Sequence, residues 1–120
     1  MFELTVRGDF SSAHFLRDYD GKCRNLHGHT WQVAVTVCGE DLNGIGVTAD
    51  FVELKKHLAV ILSQLDHTCL NDLAFFKVNN PTAENLARFI YGEYKRLVAP
   101  VKLLKVQVWE SDKADVVYHE

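Results

Sequence analysis

The sequence predicts an α+β fold, a four-stranded antiparallel sheet with two helices on one face. Three observations carry that prediction. Apolar and polar residues alternate near both ends of the chain. Apolar residues recur at helical spacing in the middle. The 120 residues are enough for a single domain, residues 1–120, with a modest core. The order is β-β-α-α-β-β. Strands that are neighbours in sequence pair most simply as antiparallel hairpins. Such a sheet has two open edges, and pairing them with other subunits is one way to cover them.

Each element follows from local pattern. Phe2, Leu4, Val6, Phe10 and His14 share one parity, and Glu3, Thr5, Arg7 and Asp9 share the other. That is a long half-buried strand, with a bend expected at Gly8. "DYDGKCRNLHG" is a loop by its Gly, Asp and Asn content. "HTWQVAVTVCGE" is a second strand with Trp31, Val33, Val35 and Val37 on one face, and "DLNGIG" is a turn. Asp50 opens a helix, and Glu53 stands in capping-box position. Phe51, Leu54, Leu58, Ile61, Leu62 and Leu65 form its apolar stripe. "DHTCLNDLAFFKVNN" breaks the period and reads as a loop. Pro81 and Thr82 start a second helix, whose buried face runs through Leu86, Phe89, Ile90, Leu97 and Val98 until Pro100 ends it. "VKLLKVQVWES" alternates again, with Leu104, Val106 and Val108 on one side, and "ADVVYHE" is a short last strand.

Composition narrows the function classes. The formal net charge is −3 and no run of Lys or Arg occurs, which disfavours nucleic acid or an anionic membrane as partner. No apolar stretch approaches the roughly 20 residues that span a bilayer. The opening "MFELTVRGDF" is too charged for a signal peptide. Three cysteines without a C-x-x-C pair argue against a disulfide framework and point to a reducing, cytoplasmic setting.

The densest chemistry lies in "CRNLHGHTW", residues 23–31. Residues i and i+2 of a strand face the same way, roughly 6.5–7 Å apart. His27 and His29 then grip one metal, or they are two hydrogen-bonded surface histidines; the pair alone does not decide. Parity adds His14, which lies on the buried side of the first strand as His29 does on the second. In a hairpin without a bulge all three imidazoles meet on one face at the loop end. Three neutral imidazoles suit Zn²⁺ and leave a fourth position open, as in catalytic zinc sites, although copper, nickel and iron accept the same ligands. His57 and His119 read as solvated surface.

Other candidates each have a plainer rival. Cys23, near Lys22 and a dication, has its thiolate favoured, or it is a small loop residue. Cys38 and Cys69 read as structural. Asp66 and His67 end the first helix as an acid/base pair for a thiol, or as a histidine favoured by a helix C-terminus. Glu110 continues the buried parity of the third strand. It either receives a fork of two N–H donors from a planar ligand or emerges into water.

The set "SSAHFL", "CRNLHGHTW", "TADFVELK", "LDHTCLND", "NPTAEN" and "VWES" resembles, in order and over nearly the whole chain, the 6-pyruvoyltetrahydropterin synthase and 6-carboxytetrahydropterin synthase family. The resemblance implies the tunnelling fold, in which subunits join their sheets into a barrel and two trimers stack into a hexamer. It implies zinc on His14, His27 and His29, and Cys23 as catalytic thiol with Asp66 and His67 as its relay. It implies Glu110 as anchor of the pterin ring. Thr82 looks like a further pocket residue, with helix capping as an equal rival. Lys22 and Arg24 meet a triphosphate or are ordinary solvated cations.

Within that family, three residues between the cysteine and H-G-H mark the bacterial carboxy-forming branch of queuosine and 7-deazaguanine synthesis. Five mark the animal pyruvoyl-forming enzymes. Arg24, Asn25 and Leu26 make three here. The implied reaction takes 7,8-dihydroneopterin triphosphate to 6-carboxytetrahydropterin, acetaldehyde and triphosphate. Three other readings stay open: a pyruvoyl-forming enzyme, a noncatalytic pterin-binding relative, and a cysteine hydrolase using Cys23 and His67.

Overall fold

The computed structural model describes residues 1–120. Its elements are β1 (Phe2–His14), β2 (His27–Gly39), α1 (Phe51–Ser63), α2 (Ala74–Val78), α3 (Ala83–Lys95), β3 (Lys102–Ser111) and β4 (Ala114–Tyr118). The strands form one antiparallel sheet in the order β1-β2-β3-β4. A cluster of 22 buried residues joins one face of that sheet to α1 and α3, so sheet and helices share one core.

β1 and β2 pair without interruption from Phe2↔Gly39 to His14↔His27. The expected bend at Gly8 is absent from this register. The glycine serves a close approach instead, since a Cβ there would sit 2.8 Å from Leu62 Cδ1 and 3.4 Å from Leu58 Cδ2 on α1. β2 also begins two residues earlier than its apolar pattern, at His27.

The other sheet face is partly roofed by its own side chains. Arg7 pairs in register with Ala34 of β2, and its guanidinium lies 5.4 Å from the ring centroid of Trp109 on β3. This arch crosses β2, and Ala34 beneath it is only 4% exposed.

The caps form as the sequence indicates, with one half missing. Asp50 Oδ1 accepts from the Val52 N–H at 2.8 Å, while the Glu53 side chain makes no reciprocal bond. Thr82 Oγ1 accepts from the Asn85 N–H at 3.1 Å and opens α3. Two stripe residues fall outside the core: Phe51 in the first turn of α1, and Leu97, two residues past the end of α3, are both exposed.

Two expectations are corrected. The segment taken for a loop contains a 3₁₀ turn, Leu70–Asp72, and the short helix α2, which buries Phe76. Five residues are too few to display a helical period. On β3, Leu104 is not the core residue. Thr36 pairs with Lys105 and Val37 with Leu103, so Leu104 is an extra, bulged residue and Leu103 takes the buried position. A second irregularity falls at Glu110, between Trp109↔Asp115 and Ser111↔Ala114.

Two glycines should respond oppositely to substitution. Gly8→Val drives branched carbons into Leu62 and should cost about 1–3 kcal/mol. Gly92→Ala, on the exposed side of α3 with nothing within 4 Å of the new methyl, should gain about 0.5–1 kcal/mol. Urea denaturation of both variants checks the signs, and a neutral Gly8→Val would refute the close-approach reading.

Candidate metal centre

The unbroken β1–β2 register places His14 directly opposite His27, with Ser12 opposite His29. All three imidazoles therefore lie on the core face at the end of the sheet. Ring centroids are 4.6 Å apart for His14–His27, 5.1 Å for His14–His29 and 4.8 Å for His27–His29. Trp31, fully buried, forms the floor at 5.0 Å from the His14 ring and 5.1 Å from the His29 ring.

Hydrogen bonds behind the rings select the tautomers. His14 Nδ1 lies 2.7 Å from the Pro81 carbonyl, and His27 Nδ1 lies 2.6 Å from the Asn25 carbonyl. A carbonyl oxygen only accepts, so both Nδ1 atoms carry the hydrogen and both Nε2 atoms present a lone pair. His29 has no such backing; its nearest charged neighbour is Glu110, with Oε1 at 4.0 Å from Nε2.

The Nε2 atoms of His14, His27 and His29 are buried without any hydrogen-bond partner. One ligand atom from each ring lies within 4.8 Å of the others. Three buried, unpartnered ring nitrogens this close together are what a metal ion requires, and without one they are a desolvation cost. Burial lowers the proton affinity of His14 below the ordinary 6.5, against the Pro81 hydrogen bond. Burial likewise lowers His29, against the attraction of Glu110. Neutral imidazoles are the ligand form.

The remaining candidates are distributed around this centre. Glu110 stands beside it on β3, its side chain 35% exposed. Asp66 and His67 lie on the outer edge of β1. Asp66 Oδ1 accepts from the Ser11 N–H at 2.8 Å, the His67 N–H donates to the Ser11 carbonyl at 2.6 Å, and the Ala13 N–H donates to the Thr68 carbonyl at 2.9 Å. Asp66 Oδ2 is 2.8 Å from His67 Nδ1, while the His67 side chain is 84% exposed. The Ser11 N–H first, and then His67, hold the Asp66 carboxyl below its usual range.

Cys23 sits half-buried in the β1–β2 loop and makes no hydrogen bond to Asp66 or His67 of its own chain. Lys22 and Arg24 flank it, both exposed. Thr82 is occupied as the α3 cap. His119 is exposed, as its position suggested, whereas His57 is half-buried with its ring 6.5 Å from Tyr94. The sequence reading missed the Pro81 and Asn25 carbonyls, which leave no side-chain signal, and Trp31 as floor, which parity alone would have found.

The lowered His14 and His29 set a pH dependence for the metal-free protein. The unfolded chain binds more protons than the folded one below the ordinary histidine value, so stability rises with pH there. Metal-free protein should lose thermal stability as pH falls from 7 through 6.5. Replacing both residues with Gln should flatten that slope in a melting series from pH 7.5 to 5.

Comparison with known proteins identifies the family. The family model described as 6-pyruvoyl tetrahydropterin synthase matches residues 3–120. A 6-carboxy-5,6,7,8-tetrahydropterin synthase of Haemophilus influenzae is 32% identical over 143 aligned residues, covering 100% of both chains. The human 6-pyruvoyl tetrahydrobiopterin synthase is 35% identical over 130, covering 97% of this chain and 90% of the other. The solved 6-pyruvoyl tetrahydropterin synthase of Caenorhabditis elegans superposes with a TM-score of 0.91 at 30% identity, over 99% of this chain and 95% of that one. With the fold and nearly the full length shared, the chain belongs to the 6-pyruvoyl tetrahydropterin synthase family.

Proposed function

We propose that this chain, as one tunnelling-fold domain, is a zinc-dependent 6-carboxy-5,6,7,8-tetrahydropterin synthase of cytoplasmic queuosine and 7-deazaguanine synthesis. It converts 7,8-dihydroneopterin triphosphate to 6-carboxytetrahydropterin, acetaldehyde and triphosphate. The observation that carries the reading is the set of three orphaned Nε2 atoms with a free cysteine separated from H-G-H by three residues. A pyruvoyl-forming enzyme is the second reading, favoured by the human relative's comparable identity.

His14, His27 and His29 would hold the zinc, which supplies Lewis acidity toward substrate side-chain oxygens and the neighbouring C–H bonds. Glu110 anchors the pyrimidinone edge of the pterin by accepting from the ring N–H and the exocyclic amine, so the side chain reaches the metal centre. Cys23 moves protons along that side chain, and triphosphate departs by elimination before the carbon–carbon bond breaks. Asp66 orients His67 through Nδ1 and leaves Nε2 free to exchange a proton with the thiol. The exposed His67 and the lack of any in-chain bond to Cys23 favour a relay completed by a second copy. The edge strands β1 and β4 favour the same homo-oligomer, a hexamer on the family pattern. Lys22 and Arg24, both exposed beside Cys23, would meet the triphosphate. Thr82, which caps α3 next to Pro81, would serve the pocket indirectly by holding that segment.

Mass analysis of products from 7,8-dihydroneopterin triphosphate tests the assignment. The carboxy product with acetaldehyde supports it, and a pyruvoyl product or no turnover rejects it. Elemental analysis should find about one zinc per chain, lost on His14→Ala, His27→Ala or His29→Ala. Cys23→Ala should keep the zinc and abolish turnover; loss of the metal in that variant would make Cys23 a ligand instead.

Glu110→Gln should weaken binding of a nonreactive pterin such as biopterin about 10- to 150-fold, because an amide turns a donor toward one of the two ring donors. Equal affinities at equal zinc content would leave Glu110 as a strand-end residue.

A further inference from the structure

The loop carrying Cys23 is held from outside by two asparagines. The Phe15 N–H donates to Asn71 Oδ1 at 2.9 Å, and the Phe15 carbonyl accepts from Asn71 Nδ2 at 3.0 Å. The Arg17 N–H donates to Asn80 Oδ1 at 3.0 Å, and the Arg17 carbonyl accepts from Asn80 Nδ2 at 3.1 Å. Each carboxamide takes both main-chain groups of one residue, as a neighbouring strand would. The clamped residues are the first and third beyond the end of β1, and carboxamide side chains stand there in place of a backbone partner.

Between the two clamped residues, the Leu16 N–H faces the other way and donates to the Cys23 carbonyl at 2.7 Å. No other backbone bond ties the returning limb to the outgoing one; the Arg24 and Asn25 N–H groups bond within the limb, to Gly21 and Lys22. The place of Cys23 follows that of Leu16, and Leu16 sits between the two clamped residues, the second of which, Arg17, also donates from Nη2 to the Phe76 carbonyl at 2.8 Å. The same segment serves the metal centre, because the residue after Asn80 is Pro81, whose carbonyl backs His14.

We propose that Asn71 and Asn80 are positioning residues for Cys23, an inference that rests on the thiol's proposed catalytic role. The chemistry of the clamp is selective. Asp offers no donor, Ser is too short to reach both groups, and Gln adds a methylene to a fit that ends at 2.9–3.1 Å. Asn71 is buried at 7% exposure, so an unmatched group there has no water to fall back on.

The test uses full-length, zinc-loaded Asn71→Ala and Asn80→Asp. Asn80→Asp keeps the acceptor for the Arg17 N–H and sets a carboxylate oxygen against the Arg17 carbonyl. Iodoacetamide labelling mapped by peptide mass spectrometry reads the thiol directly, with buried Cys38 as internal reference. Labelling of Cys23 should accelerate on the order of tenfold while Cys38 stays unchanged. Turnover should show kcat down at least about tenfold with KM and zinc content retained. Unchanged Cys23 labelling, or equal acceleration at both cysteines, overturns the proposal. If Asn71→Ala does not fold, Asn80→Asp carries the same comparison. Were Cys23→Ala to retain turnover, the catalytic reading would fall, and labelling would still decide whether the asparagines hold the thiol.

Discussion

The β1–β2 register is the constraint on which the rest depends. Side chains alternate with period two, so a slip of one residue would send the whole inward set of one strand to the other face. Here that set includes Val6 and Phe10 on β1, and Trp31, Val33, Val35 and Val37 on β2. Burying each such side chain contributes about 1.5–3 kcal/mol, so the register is strongly specified by apolar residues that have no chemical role. His14, His27 and His29 are further members of the same set. Their convergence is a by-product of core packing, and the desolvation of three imidazoles is a cost that the packing carries.

Much of this was legible because it rests on periodicity. The parity of His14 with Val6, and of His29 with Trp31, needs no knowledge of the third dimension once a hairpin is assumed. The Asp50 and Thr82 caps were legible too, since capping is local chemistry. What escaped was whatever breaks a period or uses main-chain atoms. One extra residue at Leu104 exchanges the faces of its neighbours, and nothing in "KLLKV" marks it. The helix α2 is shorter than two turns. The carbonyls of Pro81 and Asn25 have no identity in a sequence, and Asn71 and Asn80 look there like ordinary loop asparagines.

The edge of β1 shows one set of bonds with two uses. An edge strand exposes unpaired N–H and C=O groups. At Ser11 and Ala13 these are covered by the Asp66–Thr68 turn, through main-chain bonds and through the Asp66 carboxylate. Covering the edge is what delivers the Asp66–His67 pair to the sheet end that carries the histidines. The turn requires His67 at φ 56°, a left-handed backbone that costs a non-glycine residue roughly 1–2 kcal/mol. That cost is offset by the bonds of the same turn to β1.

The β1–β2 loop separates two parts of the chemistry by their manner of attachment. The three imidazoles stand on the last rungs of a ladder and cannot move without disturbing the core. Cys23 hangs on the returning limb of a loop, joined to His27 by Arg24, Asn25 and Leu26. Loop insertions cost little free energy, because closure entropy grows slowly with length. A descendant that gained or lost a residue in this limb would keep its metal seat and shift the thiol alone. Selection therefore has a single-event route to a different proton-transfer geometry, open to lineages that inherit the hairpin unchanged.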